Sequence, residues 1–268
     1  MPHMLIFGLG YTAGLLAERL RRDGWTISAT RRETASGVIA FEDGDGVTAA
    51  LGEATHILSS VPPAGGSDPV LDSYGDALKD APAQWIGYLS STGVYGDTGG
   101  AWVDETAPIG GGRRKARAEA DAAWQALRDD VRVFRLPGIY GPGRSILDRI
   151  RQGKAHRIDL PGQVFSRVHA DDIVAGVIAG IDGPAGVYNL SDDRPAPHND
   201  VVSYGCQLLG VDPPPLQTMD EAGLSDMARG FYSENRRVAN GKAKRALGWE
   251  PAYRDYKAGL RAIFANFA

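Results

Sequence analysis

The sequence predicts an α/β chain: a parallel sheet wound on both faces by helices, followed by a smaller C-terminal lobe. Three observations predict it. Strand and helix signals alternate through the first two-thirds of the chain, the strands are short apolar runs of the kind that are buried on both faces, and the first of them ends in a glycine-rich turn that opens into a helix.

The turn is the most informative segment. Gly8-Leu9-Gly10-Tyr11-Thr12-Ala13-Gly14 follows the apolar run Met4-Leu5-Ile6-Phe7, and Leu15, Leu16, Arg19 and Leu20 continue as a helix. A strand, a glycine turn and a helix start in this order present backbone N–H groups to a pyrophosphate. Gly8 suits the tight turn, Gly10 a close approach of backbone to phosphate, and Ala13 the packing of helix on strand. Tyr11 and Thr12 supply the first helical N–H groups. A plain structural turn is the competing reading, since the chain has 35 glycines.

The helix is expected to stop at Asp23-Gly24, with Trp25 to Thr30 alternating as the second strand. NAD sites usually carry an acid near the end of this strand, about 20 residues past the glycines, for the ribose hydroxyls. Here the strand ends in Thr30-Arg31-Arg32, and the next carboxylate is Glu33. An acid repels a 2′-phosphate, whereas guanidinium groups bind it through charge-assisted hydrogen bonds. Arg31 and Arg32 therefore point to NADP, with NAD left open; two solvated surface arginines are the competing reading.

Further strands are predicted at Val38–Phe41, Thr55–Ser60, Gln84–Leu89 and Val131–Leu136. A helix runs through Ala116, Ala120, Ala123, Trp124 and Leu127 at spacings of three and four. Beyond residue 140 the alternation becomes irregular, and loops rich in glycine and proline separate short elements. The dinucleotide-binding domain is expected to span 1–140 plus part of 165–192, and the remaining segments of 141–268 form the substrate lobe.

Composition narrows the classes. Hydrophobic residues make up 43% of 268, enough for a sizeable core, and a net charge of −4 with no basic domain argues against nucleic acid as a partner. Cys206 is the single cysteine, which excludes an intramolecular disulfide and a cysteine-built zinc site. The first strand begins almost at once, leaving no room for a signal peptide, and no apolar run of about 18 residues reads as a membrane span. A soluble, cytoplasmic chain is expected. His169 stands without a second ligand at metal spacing, so no metal is expected; it reads as part of a helix start with an Asp of Asp171-Asp172 as N-cap.

Six segments in order resemble the extended short-chain dehydrogenases/reductases, also called the NAD-dependent epimerase/dehydratase family. They are Leu89-Ser90-Ser91-Thr92-Gly93-Val94-Tyr95-Gly96, Asp104-Glu105-Thr106-Ala107-Pro108 and Arg135-Leu136-Pro137-Gly138-Ile139-Tyr140-Gly141-Pro142-Gly143. The later three are Arg167-Val168-His169-Ala170-Asp171-Asp172, Gly186-Val187-Tyr188-Asn189-Leu190 and Lys244-Arg245-Ala246-Leu247-Gly248-Trp249-Glu250-Pro251. The turn GLGYTAG is closer to the GxGxxA form found in atypical members.

The resemblance implies a Rossmann-type NAD(P) site, a C-terminal substrate lobe, and catalysis by Ser/Thr, Tyr and Lys. It places the Ser/Thr at Ser91 and sets Pro137 at the nicotinamide end. Anchored on Glu119, it places the Lys at Lys115 and the Tyr at Gly111. No YxxxK occurs between residues 100 and 130, so the family's main acid/base phenol is missing. Tyr95 and Tyr140 are candidates for a relocated phenol, or are structural. Ser91 is either a substrate-orienting hydroxyl or a strand-end cap, and Lys115 either holds the cofactor ribose or is solvated. Arg144 and Arg167 are candidates for an anionic group of a small-molecule substrate. A homodimer through the helix from about 113 to 129 stays open. The function expected is an NADP-dependent oxidoreductase or epimerase acting on a hydroxyl or carbonyl metabolite or a nucleotide sugar. The alternative is a catalytically impaired dinucleotide-binding sensor or interaction module.

Overall fold

The computed structural model describes residues 1–32, 37–110 and 115–267. In its first half the chain runs β1 (His3–Phe7), α1 (Tyr11–Arg22), β2 (Thr26–Arg31), β3 (Ile39–Ala40), α2 (Gly44–Glu53), β4 (His56–Ser59), α3 (Pro69–Asp80) and β5 (Trp85–Ser91). A 3₁₀ turn (Thr92–Tyr95) and β6 (Trp102–Val103) lead to α4 (Lys115–Leu127) and β7 (Val131–Leu136). The later elements are β8 (Gly138–Tyr140), α5 (Ile146–Arg151), β9 (Arg157–Ile158), β10 (Arg167–His169), α6 (Ala170–Asp182), β11 (Gly186–Asn189) and α7 (His198–Leu209). Last come β12 (Leu216–Gln217), α8 (Asp226–Tyr232), β13 (Arg237–Val238), α9 (Gly241–Leu247) and α10 (Tyr256–Ala265).

Among the described residues the central sheet has seven strands in the order β11-β7-β5-β4-β1-β2-β3, all parallel. This is a Rossmann-type α/β fold. The strand order reverses between β1 and β4, and the crevice beyond the carboxyl ends at that switch point is where such sheets hold ligands.

Alternation along β1 explains why both faces are covered. Met4 and Ile6 face one core with Leu16, Leu20 and Ile173, while Leu5 and Phe7 face the other with Val47, Leu78 and Trp124. The two large indoles also satisfy their donors: Trp85 Nε1 bonds Gly180 O at 2.9 Å, and Trp124 Nε1 bonds Asp68 Oδ2 at 2.9 Å. Tyr88 stacks on Trp124 with centroids 5.1 Å apart.

Outside this sheet, three short parallel pairs stitch the later segments to the earlier ones: β8 with β10, β9 with β12, and β6 with β13. A separate apolar cluster of Ile146, Leu147, Val202, Cys206 and Leu260 forms the core of the lobe built on α5, α7 and α10. Cys206 is 1% exposed there. Pro213-Pro214-Pro215 lies between α7 and β12.

One detail of the predicted helix start is corrected. The N-cap of α6 is His169, whose Nδ1 accepts the Asp171 N–H at 3.2 Å, and not an aspartate. Asp172 is turned elsewhere: its carboxyl accepts the backbone N–H groups of Ala252 at 2.7 Å and Tyr253 at 3.1 Å, tying α6 to the chain after α9. No described helix is long and apolar enough to cross a membrane.

Candidate active site

The glycine turn sits at the switch point. Gly8 adopts φ 82°, and its N–H bonds Thr30 Oγ1 at 3.3 Å while Leu9 N bonds Thr30 O at 3.2 Å. Thr30 is buried, so the turn is fastened to the end of β2, where Arg31 and Arg32 are exposed. On the other side the Ser60 hydroxyl donates to Gly8 O, and Ser60 N bonds Phe7 O at 2.9 Å. Glu33 lies outside the described residues.

Two features of this turn suit a diphosphate. Helix α1 begins after Gly10 with no side-chain cap, so its first N–H groups, those of Tyr11, Thr12 and Ala13, face outward with the positive end of the helix dipole. A Cβ on Gly10 would meet nothing within 4 Å, which leaves open space over the turn. Tyr11 reaches from it to the loop after β8: its hydroxyl donates to Pro142 O at 3.0 Å, and the Arg144 guanidinium lies 5.6 Å from its ring centre.

At the carboxyl ends of β5 and β7 a cavity of about 500 Å³ opens between the sheet and the C-terminal lobe. Ser91, Thr92 and Pro137 line its sheet side; Phe165, Arg167, His198, Phe231 and Tyr232 line its lobe side. The Ser91 Oγ accepts the Gly93 N–H at 3.1 Å, which leaves its own proton available to an acceptor in the cavity. A second cavity of about 440 Å³ adjoins the first, and Tyr140, Arg149, Arg167 and His198 line both. Arg144 and Arg167 are brought together in the second. Burial, then Arg167 and Arg149, pushes the His198 imidazole down to about 4, so it is neutral at pH 7.

The other sequence candidates are placed differently. Lys115 opens α4, with its side chain 81% exposed and its Nζ 3.4 Å from Glu119 Oε1. Gly111, the position of the missing tyrosine, lies outside the described residues. Tyr140 contributes to the cavity wall, but its hydroxyl is directed to Asp255 O at 3.5 Å, and burial pushes its phenol up.

Tyr95 belongs to a buried network beneath the cavity. Its hydroxyl donates to Asn189 Oδ1 at 2.8 Å and accepts from Arg135 at 3.0 Å, and burial raises its pKa. Arg135 makes a two-pronged pair with Asp121, at 2.7 and 3.1 Å, and Ser90 Oγ donates to the same carboxylate at 2.5 Å. Glu105 accepts the Asn189 N–H at 2.7 Å. This set joins β5, α4, β7 and β11 and so fixes the strand ends that carry Ser91 and Pro137. The sequence offered neither Asp121 nor Asn189 as a site residue, because Arg135 is 14 residues from Asp121 and Tyr95 is 94 from Asn189.

Among the described residues no group of His, Cys, Asp and Glu is arranged to hold a metal ion.

No family model matches this chain. A functionally unknown conserved protein from Silicibacter pomeroyi is 41% identical to it and superposes with a TM-score of 0.88 over 99% of each chain. Human epimerase family protein SDR39U1, solved with NADPH, superposes with a TM-score of 0.81 at 18% identity, over 99% of this chain and 100% of that one. A dTDP-glucose 4,6-dehydratase from Bacillus anthracis in complex with NAD gives 0.80 at 18% identity, over 99% and 96%. A curated 3-diazoavenalumate denitrifying reductase from a Streptomyces species is 29% identical over 178 residues, covering 59% of this chain. The chain spans 58% of the length of that relative.

Proposed function

From its place in one family with the Silicibacter pomeroyi protein, and from a fold shared with NAD-dependent epimerases and dehydratases, we infer that this chain is an NADP-dependent oxidoreductase. Its substrate is a small anionic metabolite with a hydroxyl or carbonyl group. The observation that carries the reading is the adjacency of two features. An uncapped helix start lies over open space at Gly10, and a cavity lined by Ser91, Pro137 and several cationic side chains opens at the neighbouring strand ends. Relatives point the same way: one neighbour was solved with NADPH and one curated relative is a reductase.

The N–H groups of Tyr11, Thr12 and Ala13 would hold the diphosphate, Arg31 and Arg32 the 2′-phosphate, and Pro137 the nicotinamide end. The cofactor's contribution, when bound, is a hydride exchanged with a substrate carbon. The protein's own part is orientation. Ser91 Oγ, fixed by the Gly93 N–H, donates a hydrogen bond to the substrate oxygen, and Arg149 and Arg167 in the wall of the same cavity hold the anionic end. Tyr95 stays with Asn189 and Arg135 as a brace, and the proton for the substrate oxygen comes through Ser91 from water.

A cavity of this size with cations in its wall favours an enzyme over a sensor. The test is NADPH consumption across a panel of hydroxy and keto acids, nucleotide sugars and simple aldehydes. Turnover is expected with an acid and very slow or absent with nucleotide sugars, and Ser91→Ala should lower kcat/KM by about ten- to a hundredfold. NADPH bound but consumed with no member of the panel would contradict the reading.

A further inference from the structure

The lobe side of the cavity has a composition of its own. Arg149 and Arg167 both line it, and among the described residues neither has a carboxylate within 4 Å. Arg149 bonds Lys154 O at 3.0 Å, and Arg167 bonds Phe165 O at 2.9 Å and Ala196 O at 3.0 Å through one nitrogen, Nη1. Nε and Nη2 of Arg167 are not engaged in those bonds. The acids nearby do not neutralise this pair. Asp148 is turned to Ser145, whose N–H and hydroxyl it accepts at 2.8 and 2.6 Å, and Glu234 is held by Arg236 at 2.8 Å. Asp192 is buried, and its carboxyl is pushed up to about 8 by that burial, so at pH 7 it offers Arg167 little charge. The imidazoles of His156 and His198, the Arg236 guanidinium and the Glu234 carboxylate, whose Oε1 is buried with no hydrogen-bond partner among the described residues, add to the polar part.

Beside this positive end the wall is aromatic. Phe165 meets Tyr232 edge to face at 5.6 Å, both touch His198 in the same manner at 6.4 and 6.3 Å, and Phe231 adds a further ring. Rings in such a set accept another ring by stacking or by edge contact. A guanidinium fork matches a carboxylate, with two parallel N–H bonds to its two oxygens. Helix α7 also starts on this side without a side-chain cap, at His198, so its positive end adds to the preference of this wall for an anion.

We propose that this end of the cavity binds a planar aromatic carboxylic acid, its carboxylate between Arg149 and Arg167 and its ring against Phe165, Phe231 and Tyr232. The proposal rests on the reading of this cavity as the substrate site and names the substrate class. The acid's reactive part then extends toward Ser91 and Pro137, at the other side of the same cavity.

The test is calorimetric titration of the full chain with cinnamate, cinnamamide and the analogue of cinnamate with a saturated ring, each with and without NADPH. The expected result is that cinnamate binds at least tenfold more tightly than either analogue. Arg149→Gln and Phe165→Leu should each lower cinnamate affinity about tenfold or more and leave NADPH affinity unchanged. Arg149→Gln is the primary variant because Arg167 also ties two loops together. Equal affinity for acid and amide, or an Arg149→Gln protein that binds cinnamate as the wild type does, overturns the acid site. Equal affinity for the saturated analogue overturns the aromatic wall. Tighter binding of UDP-glucose than of cinnamate overturns the substrate class. A wild-type protein that binds cinnamate but no NADPH leaves the acid site standing and overturns the oxidoreductase reading.

Discussion

Arg135 and Asp121 are 3% and 0% exposed, and their two-pronged pair is surrounded by the hydroxyls of Ser90 and Tyr95. Breaking a buried pair from one side leaves an uncompensated charge, which costs about 3–5 kcal/mol, whereas replacing both partners with apolar groups is far milder. Asp121→Ala should therefore lower the unfolding midpoint markedly, and Asp121→Leu with Arg135→Met should recover part of the loss. A single variant as stable as the wild type in urea unfolding would show that the pair does not brace the strand ends. A second prediction at this scale concerns Arg31 and Arg32. If they hold a 2′-phosphate, replacing both with Ala should narrow the preference for NADPH over NADH about ten- to a hundredfold. Calorimetry in which the two cofactors keep their relative affinities would count against them. The place of these two arginines at the exposed end of β2 was legible in the sequence because the strand signal is local. The brace was not, since Ser90, Asp121, Arg135 and Asn189 come from four elements and meet only on folding.

The start of α1 and the loop after β8 meet at a tight point. The Tyr11 hydroxyl, from the first turn of α1, lies so close to Gly141 that a Cβ there would collide with it; the next neighbours are Ala170 Cβ at 3.2 Å and Tyr11 Cζ at 3.6 Å. Gly141→Ala should thus cost about 1–3 kcal/mol by overpacking. Adding Tyr11→Phe should relieve most of that cost, since the phenol oxygen is the nearest obstacle and Ala170 Cβ at 3.2 Å the lesser one. A double variant no more stable than the single one, by thermal unfolding, would place the strain elsewhere. The turn-to-helix step and six of the seven strands of the central sheet were readable because apolar runs and glycines are local signals; β11 was met only inside the Gly186–Leu190 motif. The two-residue strands β6, β9, β12 and β13 were not, because a two-residue strand carries no period and its pairing depends on distant chain. For the same reason the cavity wall built from Arg149, Phe165, His198 and Tyr232 was invisible, while Arg167 was singled out only by its position in the C-terminal lobe.

Across the whole molecule, buried titratable groups shape the dependence of stability on pH. Burial raises Asp172 to about 6 and Asp192 to about 8, both from 3.8. A raised carboxyl favours folding while protonated, so this stabilisation is complete below about pH 4 and is lost as pH rises through 6 and 8. His198 acts oppositely: lowered from 6.5 to about 4, it favours folding while neutral, and that contribution is lost as pH falls through this window. Asp192→Asn should therefore stabilise the protein at pH 8 and flatten the alkaline side of the profile, each kcal/mol raising Tm by about 2–4 °C in a chain of this size. Melting curves from pH 5 to 9 that stay parallel for the variant and the wild type would show that Asp192 does not titrate in this range.

Dinucleotide binding at the open end of α1 is the property on which the proposed chemistry depends. Calorimetric titration of the wild-type chain with NADPH and then with NADH tests it most directly. Saturable one-to-one binding is expected for NADPH, tighter than for NADH by about tenfold or more. Heats no larger than dilution for both cofactors, or NADH bound as tightly as NADPH, would contradict an NADP-dependent oxidoreductase.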